Sequence, residues 1–371
     1  MTVLSEVAPG LATDGSTTPH VRVAVIGTGF ARRVQLPALR LVPGVSVTAI
    51  ASGSPANAVA TAREFGIPHA LDGATLARAD VVDLVLVAST PDTHAAFSIA
   101  ALEAGKHVLC EKPTALDAGE ARRMLAAAER HPGGLAWLDH ELRHEPNRRA
   151  VRGHIRRGAI GAVQHLELTL KPYVRGDGRP QTAAAPWSWW FDATRGGGIL
   201  GAVGSHYVDL CRYWTASEVV EVAGGVATFV PERADGTGAM RRVTADDYAS
   251  ATLRLASGAV ATILLSTVAH HGPGHFAQVT GSEGTLILTG EGRLEIGTPG
   301  GGLEDISVAD DLRGRVAPDN MWARSFVRLM RDLVAVIGGS RPDVPPATLA
   351  DGYRVQQVLD AVRAGGVTPL D

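Results

Sequence analysis

Apolar positions fall in short runs of β-forming side chains, separated by stretches with helical spacing. Val21-Arg22-Val23-Ala24-Val25-Ile26, Val45–Ala51, Val81–Ala88 and His107–Cys110 read as buried strands, and a shorter run, Leu135–Asp139, follows. Ala31–Leu41 and Thr93–Ala104 carry the helical spacing between them. Strands alternating with helices predict an α/β fold with a parallel sheet covered on both faces. From Val163 the rhythm changes. Val163–Leu170, Val219–Val230, Tyr248–Leu255, Ala259–Thr267, Phe276–Thr280 and Gly284–Leu288 read as further strands parted by glycine turns. Two helical segments, Trp322–Ile337 and Leu349–Ala364, close the chain.

The length of 371 residues suits two domains, each with a sizeable core. A net charge of -3, from 35 basic and 38 acidic residues, argues against nucleic acid as a main partner. No apolar run reaches the ~20 residues of a membrane span, so no membrane partner is expected. Residues 1–20 lack a secretory pattern, and their Thr, Ser, Gly and Pro content predicts a disordered tail. Cys110 and Cys211 are too few and too far apart for a disulfide framework, which fits reduced thiols in a cytoplasmic protein.

The first strand runs straight into Gly27-Thr28-Gly29-Phe30, and the helical pattern begins at Ala31. A strand, a tight glycine turn and a helix N-terminus form a pyrophosphate cradle: Gly27 permits the turn and Gly29 admits the ligand to bare backbone. Arg32 stands where a third glycine is usual, so the motif draws its weight from the surrounding βαβ pattern. Ligands of such sheets lie at strand carboxyl ends, where Gly27, Ser89 and Glu111 all fall. The second strand ends in Ser52-Gly53-Ser54, without the carboxylate that holds an NAD ribose. Small hydroxyl residues there, with Arg32 or Arg33 in reach, favour NADP within an NAD(P) site.

Several of these pieces together resemble the Gfo/Idh/MocA oxidoreductases, among them glucose–fructose oxidoreductase and inositol dehydrogenase. The matching segments are Gly27–Phe30 with Leu36–Leu39, Ser89–His94, Ala104–Pro113, Gly158–Gly161, and Gly196–Gly198 with Gly204–Leu210. The resemblance implies a Rossmann domain, here 21–142, and an α/β domain with a large open, mostly antiparallel sheet, here 143–371, for substrate binding and oligomerisation. It also implies a sugar, cyclitol or polyol substrate between the domains and a homo-oligomer, a dimer or tetramer. Cofactor contacts carried over by the match are Gly27, Thr28, Gly29, Phe30, Ala31, Ser52, Ser89, Thr90, Pro91, His94, Glu111, Lys112 and Pro113.

The same resemblance makes Lys112 and His206 the catalytic pair. A lysine at a strand end and an imidazole suit proton work on a substrate hydroxyl. Asp209, three residues past His206, either orients it or pairs with an arginine. Better-known sugar dehydrogenases carry an Asp four residues before the histidine; this chain has Ala202. His140, Arg143 and His144 are the expected substitutes, with Asp246 and Asp247 behind them. Expected substrate contacts are His140, Arg143, Trp187, Trp189 and Asp209; the dense run Pro186–Asp192 supplies aromatic faces for a sugar. His270, His271 and His275 are split by Gly272-Pro273-Gly274, and no metal is expected. Two other activities stay open on sequence grounds: a redox-neutral elimination with a retained cofactor, and a non-catalytic sensor.

Overall fold

A computed structural model describes residues 19–171, 185–290 and 292–370; most of the expected tail, and nearly all of the loop from Lys171 to Ala185, lie outside them. The first sheet comprises β1 (Val21–Ile26), β2 (Val45–Ala51), β3 (His69–Ala70), β4 (Leu84–Val87), β5 (His107–Cys110) and β6 (Ala136–Leu138). All its pairings are parallel, and its order is β3-β2-β1-β4-β5-β6. The chain therefore leaves β1 in one direction for β2 and β3 and returns on its other side for β4 to β6. Doubly wound folds place their ligand outside the strand ends at this reversal.

Helices α1 (Leu36–Leu39), α2 (Pro55–Phe65), α3 (Gly73–Ala77), α4 (His94–Glu103) and α5 (Ala118–Arg130) connect these strands. Local chemistry sets their ends. Ser54 caps α2 by accepting from Asn57 N–H, Pro55 occupies the first turn, and Gly66 ends the helix at φ +69°. The helix expected over Ala31–Leu41 begins instead as a π turn, Ala31–Gln35, before α1. Pro37 has no N–H for the carbonyl four residues back, which breaks the regular ladder at this point.

The second unit follows α6 (Pro146–Arg156). Its strands are β7 (Val163–Lys171), β8 (Val219–Ala227), a short ribbon of β9 (Glu232–Ala234) and β10 (Met240–Arg242), then β11 (Tyr248–Leu255), β12 (Val260–Ser266), β13 (Gly274–Gly281), β14 (Gly284–Thr289), β15 (Arg293–Gly297), β16 (Leu303–Asp305) and β17 (Gly366–Pro369). Nine of them form one sheet in the order β16-β15-β14-β13-β7-β12-β11-β8-β17. Only β7 and β12 run parallel, so the sheet is mixed and mostly antiparallel. The strand expected to reach Val230 stops at Ala227, because the N–H groups of Phe229 and Val230 turn to the Asp247 carboxylate.

Helices α7 (Ser205–Thr215), α8 (Met321–Ile337) and α9 (Leu349–Ala364) bind the two units together. On the face of the large sheet, α7 and α9 bury Val208, Cys211, Val355, Val358 and Leu359. In contrast, α8 returns to the first unit and packs Phe326, Val327, Met330 and Leu333 against Val21, Leu36, Leu39 and Leu84. Each such buried side chain contributes roughly 1.5–3 kcal/mol relative to exposure. Thr348 and Asp351 form a capping box at the start of α9.

Candidate active site

At the reversal point, β1 and β4 come so close that a Cβ on Gly27 would lie 2.1 Å from the Ala88 carbonyl oxygen, and Gly27 sits at φ +119°. Only glycine fits there. Two residues on, a Cβ at Gly29 would meet nothing within 4 Å. Protein packing therefore does not require a glycine at that position, and the bare backbone there is open to a ligand. Thr28 Oγ1 and Ser52 Oγ lie 3.0 Å apart and join the first turn to the end of β2. Phe30 is half-buried and Ala31 fully buried at the start of the helix that faces this space. These residues fit a dinucleotide pyrophosphate, held by Gly27, Gly29 and the helix N-terminus.

The loops after β4 and β5 are tied to one another. His94 is buried, with Nδ1 2.9 Å from the Pro113 carbonyl and Nε2 3.2 Å from the Ser89 carbonyl. Thr93 Oγ1 donates to Ser89 Oγ at 2.7 Å. On the far side of Pro91 stands the glycine run of the second unit: a Cβ on Gly196 would lie 2.5 Å from Pro91 Cβ. Arg195 reaches across to Thr90 Oγ1 at 2.9 Å and to Asp92 at 3.3 Å.

Lys112 stands at the end of β5, half-buried, with its Nζ donating to the Ala202 carbonyl at 3.1 Å. Beneath it lies a polar layer that is closed to solvent. Gln35 Nε2 donates to Glu111 Oε1 at 2.8 Å and to Asp139 Oδ2 at 2.9 Å. Glu111 Oε2 accepts from the Lys112 backbone N–H at 3.1 Å. Glu141 and His206 are 1% and 0% exposed, with Oε2 and Nε2 3.7 Å apart. His206 Nδ1 is 3.4 Å from His140 Nδ1, and the His206 ring packs against Trp322 at 5.4 Å. Trp322 also touches His275, whose Nδ1 is 2.9 Å from the Tyr207 hydroxyl.

Burial sets the charges in this layer, since a charged form loses its hydration there. His206 is held well below the usual imidazole range by burial first and the Lys112 ammonium second. Burial lowers His140 to about 4 and His275 to about 3. Burial and then Glu111 raise Glu141 to about 8. Asp139 is raised well above its ordinary value by burial, then by Glu141 and Glu111. Near neutral pH the imidazoles are thus uncharged, and Glu141 holds its proton.

The alternatives open for Asp209 resolve to the arginine. Asp209 accepts from Arg143 Nε at 2.7 Å and from Nη2 at 2.5 Å, with both residues buried. Arg143 Nη1 donates to the Pro345 and Pro346 carbonyls at 3.3 and 3.0 Å. The pair braces α7 against the segment before α9. Trp187 is tied to the β9–β10 ribbon through Nε1 to the Arg242 carbonyl at 3.0 Å, with the Arg241 guanidinium 4.2 Å over its ring. Trp189 and Trp190 meet edge to face at 6.0 Å beside the glycine run. Asp246 accepts from Leu200 N–H at 2.7 Å, and Asp247 holds the Phe229 turn. Among the described residues, no group of three or more His, Cys, Asp or Glu side chains could hold a metal ion. Sequence reading passed over Gln35, Asp139, Glu141 and Trp322; the only local signal was the polar triplet Asp139-His140-Glu141 directly after a buried strand.

Comparison with known proteins bears on both units. Residues 21–137 match the model of an oxidoreductase family with an NAD-binding Rossmann fold, and residues 148–287 match that of the GFO/IDH/MocA C-terminal domain. An uncharacterized oxidoreductase of Synechocystis is 28% identical over 93% of this chain and 94% of its own. Levoglucosan dehydrogenase of Pseudarthrobacter phenanthrenivorans is 28% identical over 75% of each chain. A solved levoglucosan dehydrogenase in complex with NADH shares the fold, with a TM-score of 0.80 at 24% identity, over 92% of this chain and 95% of the other.

Proposed function

This chain belongs to the Gfo/Idh/MocA oxidoreductases, enzymes with an NAD-binding Rossmann domain, and from that premise we propose that it interconverts a secondary alcohol and a ketone on a sugar, cyclitol or glycoside. The observation that carries the reading is Lys112: a half-buried ammonium at the end of β5, anchored on the Ala202 carbonyl of the second unit. A bound nicotinamide supplies hydride acceptance and donation. The chain's own residues bind, orient and move the proton. Gly27, Thr28, Gly29, Phe30, Ala31 and Ser52 hold the dinucleotide. Ser89, Thr90 and Pro91 wall it, and His94 fixes that wall to the Glu111–Pro113 loop. Lys112 Nζ meets the substrate oxygen, and His206 with His140 sets the proton balance behind it.

For the cofactor we favour NADP(H). The Ser52-Gly53-Ser54 end of β2 offers no carboxylate to a ribose 2′-hydroxyl, and Arg33 is exposed at the start of the first helix. Arg32 is drawn to Glu64 at 2.6 Å, which lowers its availability. Two buried free thiols, Cys110 and Cys211, accord with a cytoplasmic setting, and no helix among the described residues is long and apolar enough to cross a membrane. A dimer or tetramer is part of the proposal and is read by light scattering.

The test is a screen of sugars, cyclitols and glycosides with NAD(P)+, followed at 340 nm, the usual nicotinamide absorbance. Turnover that disappears in Lys112→Met, with cofactor affinity retained, supports the reading. Full turnover in that variant overturns the role of Lys112. Tight cofactor without net reduction, but with cleavage of a glycoside, replaces the proposal by a redox-neutral elimination. Binding without any conversion replaces it by a sensor.

A further inference from the structure

We propose that Glu141 is a positioning residue of this site: its carboxyl shares one proton with His206 and so fixes the tautomer and charge of that imidazole behind Lys112. The inference rests on the function proposed above for its catalytic consequence, but the pair itself stands on geometry. Glu141 lies on the short turn Glu141–His144 after β6, which aims its carboxyl at α7. Its Oε2 is 3.7 Å from His206 Nε2, just outside direct hydrogen-bond reach. Neither Glu141 oxygen nor His206 Nε2 has a hydrogen-bond partner among the described residues, and all three atoms are sealed from solvent. A buried polar atom without a partner costs about 1–3 kcal/mol, so Glu141 Oε2 and His206 Nε2, unpartnered and 3.7 Å apart, mark a place kept for something other than stability.

The contact with His140 ties the proton positions of the two rings together. His206 Nδ1 faces His140 Nδ1, so one ring must donate and the other accept. With the Glu141 O–H directed at His206 Nε2, His206 carries its own proton on Nδ1 and donates it to His140 Nδ1. His140 then carries its proton on Nε2. When the shared proton crosses, the O–H bond of Glu141 breaks and an N–H bond forms on His206 Nε2, giving a carboxylate and an imidazolium with no change in total charge. That crossing is uphill, because burial and the Lys112 ammonium hold His206 well below the usual imidazole range, so the resting pair keeps the proton on Glu141 and the His206 ring neutral.

Ala202 is the reason such a group is needed. The position carries no carboxylate, and Lys112 meets only a main-chain oxygen there. The charged groups around Glu141 are few. Glu111 and Lys112 face it from the end of β5, Asp139 and His140 from its own segment, and His206 from α7. Farther out, α8 gives uncharged Trp322 against His206 and Asp332 against His144, while Arg143 and Arg148 are engaged by Asp209 and Glu145. Burial and Glu111 oppose the ionised carboxylate; Lys112, and after it the backbone N–H of Glu141, favour it.

The experiment uses the full chain without cofactor, labelled with 15N-histidine, as wild type, Glu141→Gln and Glu141→Asp. In the wild type, His206 Nε2 should report a titration with a midpoint of about 8, that of Glu141. The midpoint should vanish in Glu141→Gln and return, displaced, in Glu141→Asp. With substrate and cofactor, Glu141→Gln should lower kcat by about 10²-fold and leave KM within about twofold, as expected for loss of proton-handling geometry. An Nε2 signal that is the same in wild type and Glu141→Gln from pH 6 to 9.5 overturns the proposal. If Glu141→Gln does not fold, the same reading is taken from Glu141→Asp, where an undisplaced midpoint overturns it. Absence of any turnover in the wild type removes the proposed function, and full activity in Lys112→Met removes the role of Lys112, while the His206 titration still stands or falls alone.

Discussion

The Lys112 ammonium and the Ala202 carbonyl are joined across the two units by a 3.1 Å hydrogen bond. A side chain from the end of a Rossmann strand thus ends on the backbone of the π turn Leu200–Gly204 that leads into α7. A main-chain acceptor supplies a dipole but no titrating charge. Under the proposed function, the proton balance of the site falls to the closed layer of Glu111, Asp139, Glu141, His140 and His206.

The two glycines of the first turn should fail differently. Gly27→Ala drives a Cβ to 2.1 Å from the Ala88 carbonyl at a left-handed φ, so the fold itself should suffer by several kcal/mol, seen as a large fall in Tm. Gly29→Ala meets no protein atom and should melt like the wild type. Its dinucleotide affinity, read by fluorescence titration, should drop by at least tenfold. Equal melting temperatures for the two variants would contradict the packing described at the reversal point.

Arg143 and Asp209 should behave as a structural brace. Removing one partner of a buried ion pair leaves a charge uncompensated and costs about 3–5 kcal/mol. Arg143→Ala should show that loss in urea denaturation. The double substitution Arg143→Met with Asp209→Leu should recover part of it, because neither charge then stays behind.

Stability should pass through a maximum near pH 6.5 and fall towards pH 8. Buried His140 and His275 stay neutral in the fold but protonate near 6.5 when unfolded, so stability rises with pH until that range is passed. Glu141 is the opposite case. Its folded pKa of about 8 exceeds the ordinary 4.5, so the native state holds an extra proton between these values and loses stability as pH rises. One proton is worth about 1.4 kcal/mol per pH unit. Glu141→Gln should flatten the decline between pH 6.5 and 8 in urea titrations; an unchanged slope would count against the raised carboxyl.

Cofactor preference should respond to a residue that never meets the cofactor. Glu64 holds Arg32 in a solvent-exposed ion pair, an interaction worth about 0.2–1 kcal/mol. Glu64→Gln should release the guanidinium and raise the NADPH-to-NADH affinity ratio by about two- to fivefold, measured by paired titrations. A ratio shifted towards NADH would reverse the assignment of this edge.

The first sheet was legible in the chain because each of its buried strands is a near-continuous apolar run followed by a punctuating residue, as at Ile26-Gly27 or Cys110-Glu111. The glycine turn and Lys112 were legible for the same reason, since strand ends announce themselves. The polar layer was not. Gln35, Asp139 and Glu141 lie far apart in sequence or inside short irregular turns, and nothing local tells a buried glutamate from a solvated one. Nor could spacing reveal that Asp209 belongs to Arg143, a partner 66 positions away. The short strands β15 to β17 escaped because they offer few residues, and β16 and β17, at the two sheet edges, are mostly exposed, leaving little alternation to read.

The return of α8 to the first unit has a consequence for synthesis on the ribosome. The nucleotide-binding sheet is complete at Leu138, but the helix that covers Val21, Leu36 and Leu39 begins only at Met321, about 180 residues later. At roughly 5–20 residues per second, that apolar face emerges about 10–40 s before its cover exists. The nascent chain therefore presents a sticky, half-dressed domain for about half of its translation, and its yield in cells should depend on whatever shields that face during the wait.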